Sequence, residues 1–126
     1  MTIRPDVELR LPAESAYVSV LRMTTAGLAA RVDFTLDDIE DLRIAVGEAS
    51  AILLDRATGD GSLHCAFELG EKQMRISVAA DTVDPKAPDL DSWAWQVLAA
   101  LTTGLEAEAS ADRVTITLSM SSGASD

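Results

Sequence analysis

Few side chains in this sequence could do chemistry, and their neighbours narrow the choice further. Cys65 is the single cysteine and stands next to the single histidine, His64. Neighbours on a strand point to opposite faces, so these two cannot serve each other as nucleophile and base. Cys65 is expected in the core and His64 at the surface, and one of each supplies no ligand set for structural zinc and no disulfide. The sequence contains no Gly-x-x-x-x-Gly-Lys-Ser/Thr loop, Gly-x-Gly-x-x-Gly turn or Gly-x-Ser-x-Gly elbow, which removes the familiar phosphate loops and hydrolase nucleophiles. What remains is Glu48, an acid set between Val46 and Ala49 of the second helix's apolar stripe. Such an acid either reaches solvent at the helix edge or serves a site.

The elements that must position Glu48 alternate between strand and helix. Val7, Leu9 and Leu11 alternate with Glu8 and Arg10 in a half-buried strand ended by Pro12. A helix is expected from Ala13 to Arg31, with Tyr17, Val20, Leu21, Thr24 and Leu28 on its core stripe. Ser15, Val18, Ser19 and Arg22 fall on a neighbouring, more exposed face. After the turn Val32-Asp33-Phe34-Thr35, an N-cap at Thr35 or Asp33 with Asp38 following opens a second helix that runs to about Arg56. Its stripe is Ile39, Leu42, Val46, Ala49 and Leu53. Two strands follow as a hairpin, Leu63-Cys65-Phe67-Leu69 and Met74-Ile76-Val78-Ala80 in alternation, joined at Gly70-Glu71-Lys72. A loop from Asp81 to Asp91 leads into an uncharged segment, Ser92 to Leu105, expected as one helix. Val114, Ile116, Leu118 and Met120 form the last strand, and residues 121–126 are expected as a disordered tail. Each strand has one apolar face, which predicts a two-layer α/β sandwich with helices on one side of a mostly antiparallel mixed sheet.

Composition bounds the function. The chain has 126 residues, 48% of them hydrophobic, which fits a single domain over residues 1–126. No apolar run approaches 18 residues and no leader-like segment opens the sequence, so a cytoplasmic location without membrane contact is expected. The net charge of −11 argues against nucleic acid as a direct partner and for a basic protein surface. Asp33, Asp37, Asp38, Glu40 and Asp41 crowd the start of the second helix. There they either complement the helix dipole or steer a partner.

The segment from Asp41 to Ile52, preceded by Phe34 to Glu40, resembles the Glu-bearing helix of the RsbW and SpoIIAB anti-sigma factors. These are small members of the ATPase superfamily that includes histidine kinases, gyrase and Hsp90. The order of elements resembles that family over nearly the whole chain. In the family this helix reads Glu-Ala-x-x-Asn, with the Glu orienting the attacking hydroxyl or water and the Asn holding magnesium. Here Glu48 and Ala49 match, but the Asn position is Ile52, which offers no oxygen to a hard cation. The family's adenine-reading Asp-x-Gly-x-Gly turn corresponds to Asp81-Thr82-Val83-Asp84-Pro85, without glycine. Its later Gly-x-Gly stretch corresponds to Asp91-Ser92-Trp93-Ala94-Trp95. With these departures the resemblance implies no functional cofactor and no metal, with at most weak ATP binding through Glu48 and Asp81 as remnants.

The resemblance further implies an anti-sigma factor in a stress-response partner switch, sequestering a sigma factor and released by a STAS-type anti-anti-sigma protein. It places Arg22 at the arginine shared by both partners, with Ser15, Val18 and Ser19 as its rim. A homodimer through the open sheet face is implied as well. Trp93, in line with Val97, Ala100 and Leu101, is expected in the core. Trp95 is expected either to plug the nucleotide cavity or to face a partner. Two other readings remain: an active serine protein kinase with Glu48 as base, which requires ATP and magnesium, and an inert scaffold that binds no sigma factor.

Overall fold

The computed structural model describes residues 4–58 and 60–123. Alternating side chains give five strands: β1 (Val7–Pro12), β2 (Ser62–Gly70), β3 (Gln73–Asp81), β4 (Gly104–Ser110) and β5 (Arg113–Ser121). They form one sheet in the order β1-β2-β3-β5-β4, antiparallel at every pairing. The sheet is therefore purely antiparallel rather than mixed. The β2–β3 hairpin pairs Gly70 with Gln73 across a tight turn. Lys72 there takes φ 54°, the left-handed conformation such turns require.

Helices α1 (Val18–Arg31) and α2 (Leu36–Leu54) follow short connections, whereas α3 (Trp93–Leu101) follows the longer loop of residues 82–92. Both α1 and α3 pack against α2, and α2 lies on β3 and β5. The apolar face of the sheet, including Leu63, Phe67, Ile76, Ile116 and Leu118, meets Leu42, Val46 and Leu53 of α2 in a single core. Burying side chains of this size stabilises the fold by roughly 1.5–3 kcal/mol each. The opposite face of the sheet is polar. No helix is long and apolar enough to cross a membrane among the described residues.

Three boundaries differ from the sequence expectation, the first being the start of α1, at Val18 rather than Ala13. The uncharged segment does not remain helical to Leu105: α3 stops at Leu101, and Thr102 is extended at φ −125° and ψ 161°. Gly104 then begins β4, where Leu105, Ala107 and Ala109 pair with Leu118, Ile116 and Val114. The strand won because β5 otherwise exposes a ladder of unpaired amides and carbonyls along that edge. The expected tail also begins too early. Ser121 belongs to β5, and Ser122 is buried. Thr35 caps α2 by accepting the Asp38 N–H at 3.2 Å. Ser122 Oγ completes the cap, accepting the Thr35 N–H at 3.0 Å and donating to Asp38 Oδ2 at 2.6 Å. The Ser122 bond, against a smaller cost of burial, holds the Asp38 carboxyl below its ordinary range. Residues 124–126 of the expected tail lie outside the described residues.

Candidate functional site

Helix α1 opens after a 3-10 turn at Ser15–Tyr17, and this change of pitch rotates the expected stripe. Val18, Leu21, Thr25 and Ala29 face the core, while Tyr17 and Val20 are partly exposed. Val18, expected on the rim of the partner surface, is only 7% exposed and is a core residue. Ser15, Ser19 and Arg22 do remain at the surface. Ser19 Oγ donates to the Ala16 carbonyl at 3.5 Å.

The Arg22 guanidinium crosses from α1 onto α2 and lies over Gly47. A Cβ built on Gly47 would stand 2.5 Å from Arg22 Nη2 and 2.7 Å from Nε, closer than any real side chain tolerates. Gly47 therefore leaves the room in which the Arg22 guanidinium lies against α2, room that a larger residue would make it give up. The sequence carried one sign of this, since a glycine inside a helix costs about 1 kcal/mol relative to alanine and often marks a close approach. Arg22 shares a shallow outward groove with Glu40, Arg43, Ile44 and Glu48. Within it, Arg43 Nη1 donates to Glu40 Oε2 at 3.0 Å. The fold thus brings Arg22 and Glu48 together on the outer surface of the α1–α2 pair.

Asp81 is elsewhere. As the last residue of β3 it continues the alternation Arg75, Ser77, Ala79 and points to the open face of the sheet, away from the helices. Its Oδ1 accepts Arg113 Nε at 3.2 Å and Nη2 at 3.0 Å, and its Oδ2 lies 3.2 Å from His64 Nε2. Burial pushes the Asp81 carboxyl up, but the hydrogen bonds and charges of His64 and Arg113 outweigh it and hold the group below its ordinary range. Both oxygens are thus engaged by neighbouring side chains on the open face of the sheet. Cys65 meets its expectation as a core residue, its thiol pushed up to about 12 by burial. His64 lies on the opposite, outward face.

The two indoles exchange their expected places. Ser92 caps α3, its Oγ accepting the Trp95 N–H at 3.2 Å. That start phases the helix so that Trp95 and Leu98 face inward. Trp95 is 8% exposed and joins the core, whereas Trp93 is 79% exposed. Burial also removes the partner-facing alternative for Trp95. Ile52, at the position the resemblance assigns to a magnesium ligand, packs against the core. The residues present therefore do not fit magnesium-bound ATP: the ligand position is apolar, the adenine-side carboxylate is paired on the other face, and an indole fills core space in α3.

Comparison with known proteins places these features in context. No protein-family model matches the chain. It is 42% identical over 73 residues to the serine-protein kinase RsbW of Halalkalibacterium halodurans, covering 57% of this chain and 45% of that protein. It is 38% identical over 79 residues to the serine-protein kinase RsbW of Bacillus thuringiensis, covering 61% of this chain and 49% of that protein. The chain thus spans about half the length of the curated relatives it matches. Among solved structures, the RsbU and RsbW domains of a Mycobacterium tuberculosis protein match 93% of this chain and 33% of that one, with a TM-score of 0.67 at 20% identity. That likeness concerns the fold. The chain is RsbW-like, in sequence over more than half its length and in fold over nearly all of it.

Proposed function

We propose that residues 1–126 act as one anti-sigma domain that sequesters a sigma factor without nucleotide and is released by a STAS-type anti-anti-sigma protein. The observation that carries this reading is the contrast between a formed Arg22–Gly47–Glu48 surface and a nucleotide region whose key positions are apolar or paired elsewhere. The relatives' RsbW identity supplies the class of partner. Arg22 can fork onto a partner carboxylate, and arginine is enriched among residues that dominate interface energy. The net charge of −11 would speed encounter with a basic partner and discourage nucleic acid. Such a partner would place the protein in the cytoplasm, and the polar sheet face is our candidate for a homodimer contact.

A second reading, an ATP-dependent serine protein kinase with Glu48 as base, is favoured by the printed names of the relatives. Isothermal titration with ATP and magnesium separates the two. The anti-sigma reading expects no binding at millimolar ATP, and micromolar binding would make the kinase the leading reading. An Ile52→Asn, Val83→Gly variant checks the site: because Asp81 is held by Arg113 and His64, it should not regain tight binding.

A further inference from the structure

Resting on the anti-sigma reading above, we infer that the loop entering α3 is a second docking element, in which Leu90 and Trp93 insert into an apolar pocket of the sigma factor bordered by lysine and arginine. Trp93 is 79% exposed and Leu90 56% exposed, three residues apart at the start of the helix. Tryptophan is heavily buried on average, and an exposed one next to a large aliphatic side chain is the composition of an interface centre.

The segment that presents them is internally ordered. Asp89 accepts the Asp91 N–H on its carboxylate at 2.9 Å and the Ser92 N–H on its carbonyl at 3.0 Å. Gln96 Nε2 returns from α3 to the Leu90 carbonyl at 2.9 Å, and Ser92 caps the helix. Pro88 on one side and Trp95 on the other are buried and anchor the segment. A loop tied down in this way loses little freedom on binding, so its apolar area is available for affinity.

Charge selects the occupant. Lys86 faces Asp84 at 3.5 Å, while Asp89 and Asp91, which flank Leu90, make no ion pair among the described residues. An acidic rim on a chain of net charge −11 disfavours an anionic bilayer or nucleic acid. A sigma factor must present basic side chains to engage promoter DNA, and those complement this rim.

The test labels the chain with 5-fluorotryptophan and assigns its two 19F resonances with Trp93→Phe and Trp95→Phe. On titration with unlabelled sigma factor, the Trp93 resonance should shift and lose its solvent isotope effect while that of Trp95 stays nearly fixed. Trp93→Ala should weaken the complex about 30-fold, the level of an interface hot spot of about 2 kcal/mol, and Leu90→Ala by about 10-fold. Wild type binding sigma factor with an unmoved Trp93 resonance and an unaffected Trp93→Ala variant would overturn this inference alone. Absence of wild-type binding would overturn the anti-sigma reading and the inference with it. A Trp93 resonance that moves with protein concentration, without sigma factor, would reassign the surface to a second copy of the chain and overturn the proposal.

Discussion

The outer surface of α1 and α2 and the region from the end of β3 through α3 are built by the same sandwich but held in opposite ways. On α1 and α2, a charged side chain lies across the helix pair because a neighbour lacks a side chain: Gly47 leaves the space that the Arg22 guanidinium occupies. Around β3 and α3, positions that would need to stay open or polar for a nucleotide are filled or paired, as in Trp95 and the Asp81–Arg113 pair. A helix surface can keep its partner contacts through a few exposed residues, whereas phosphoryl transfer depends on several groups placed together. On the proposed reading, partner binding therefore needs only the first of these two regions.

The comparison can be broken most forcefully at Arg22. Arg22→Glu should weaken sigma-factor binding at least 30-fold, about 2 kcal/mol, with thermal melting nearly unchanged because the side chain is exposed. Wild-type affinity in that variant would remove the α1–α2 surface from the account. Gly47→Ala sharpens the same point without touching a charge. The new methyl must displace the guanidinium, so binding should fall about 10-fold, while helix propensity favours the variant by up to about 1 kcal/mol. Calorimetry and unfolding run in parallel would show affinity and stability moving in opposite directions.

Smaller effects are expected away from either region. Ser122→Ala removes the bridge between Thr35 and Asp38 and should lower unfolding free energy by about 1–2 kcal/mol in urea melts, without altering partner binding. Asp38 and Asp81 both titrate below their ordinary range when folded. Their contribution is therefore complete above the unfolded aspartate value of about 3.9 and is lost as pH falls through the lower folded value. Urea melts between pH 6 and pH 3 should show that loss, and the Ser122→Ala variant should show less of it. Arg113→Ala breaks a half-exposed pair and should cost no more than about 1 kcal/mol.

Much of the scaffold was legible before any coordinates, for reasons that differ by element. The α2 stripe and the alternating Leu63–Leu69 and Met74–Ala80 segments are strong local patterns that tertiary packing had no cause to override. Strand β4 was hidden because its inward residues include two alanines and its one leucine, Leu105, ended an uncharged run that read as helix. The places of Trp93 and Trp95 depended on where Ser92 began the helix, a phase that two equally apolar indoles could not reveal. At the candidate site, Arg22 and Glu48 could be singled out through a resemblance, but the groove they share joins two helices. The capture of Asp81 by Arg113 likewise spans 32 positions in sequence, and that of Asp38 by Ser122 spans 84. Pairings at such separation are set by sheet register and strand order, which local patterns do not encode.

The central claim is tested most directly by titrating the purified chain into sigma factor in the absence of nucleotide, then repeating the titration with ATP and magnesium. The account predicts a stable complex whose affinity is the same in both conditions and is lost in Arg22→Glu. A complex that forms only when ATP and magnesium are supplied would contradict it.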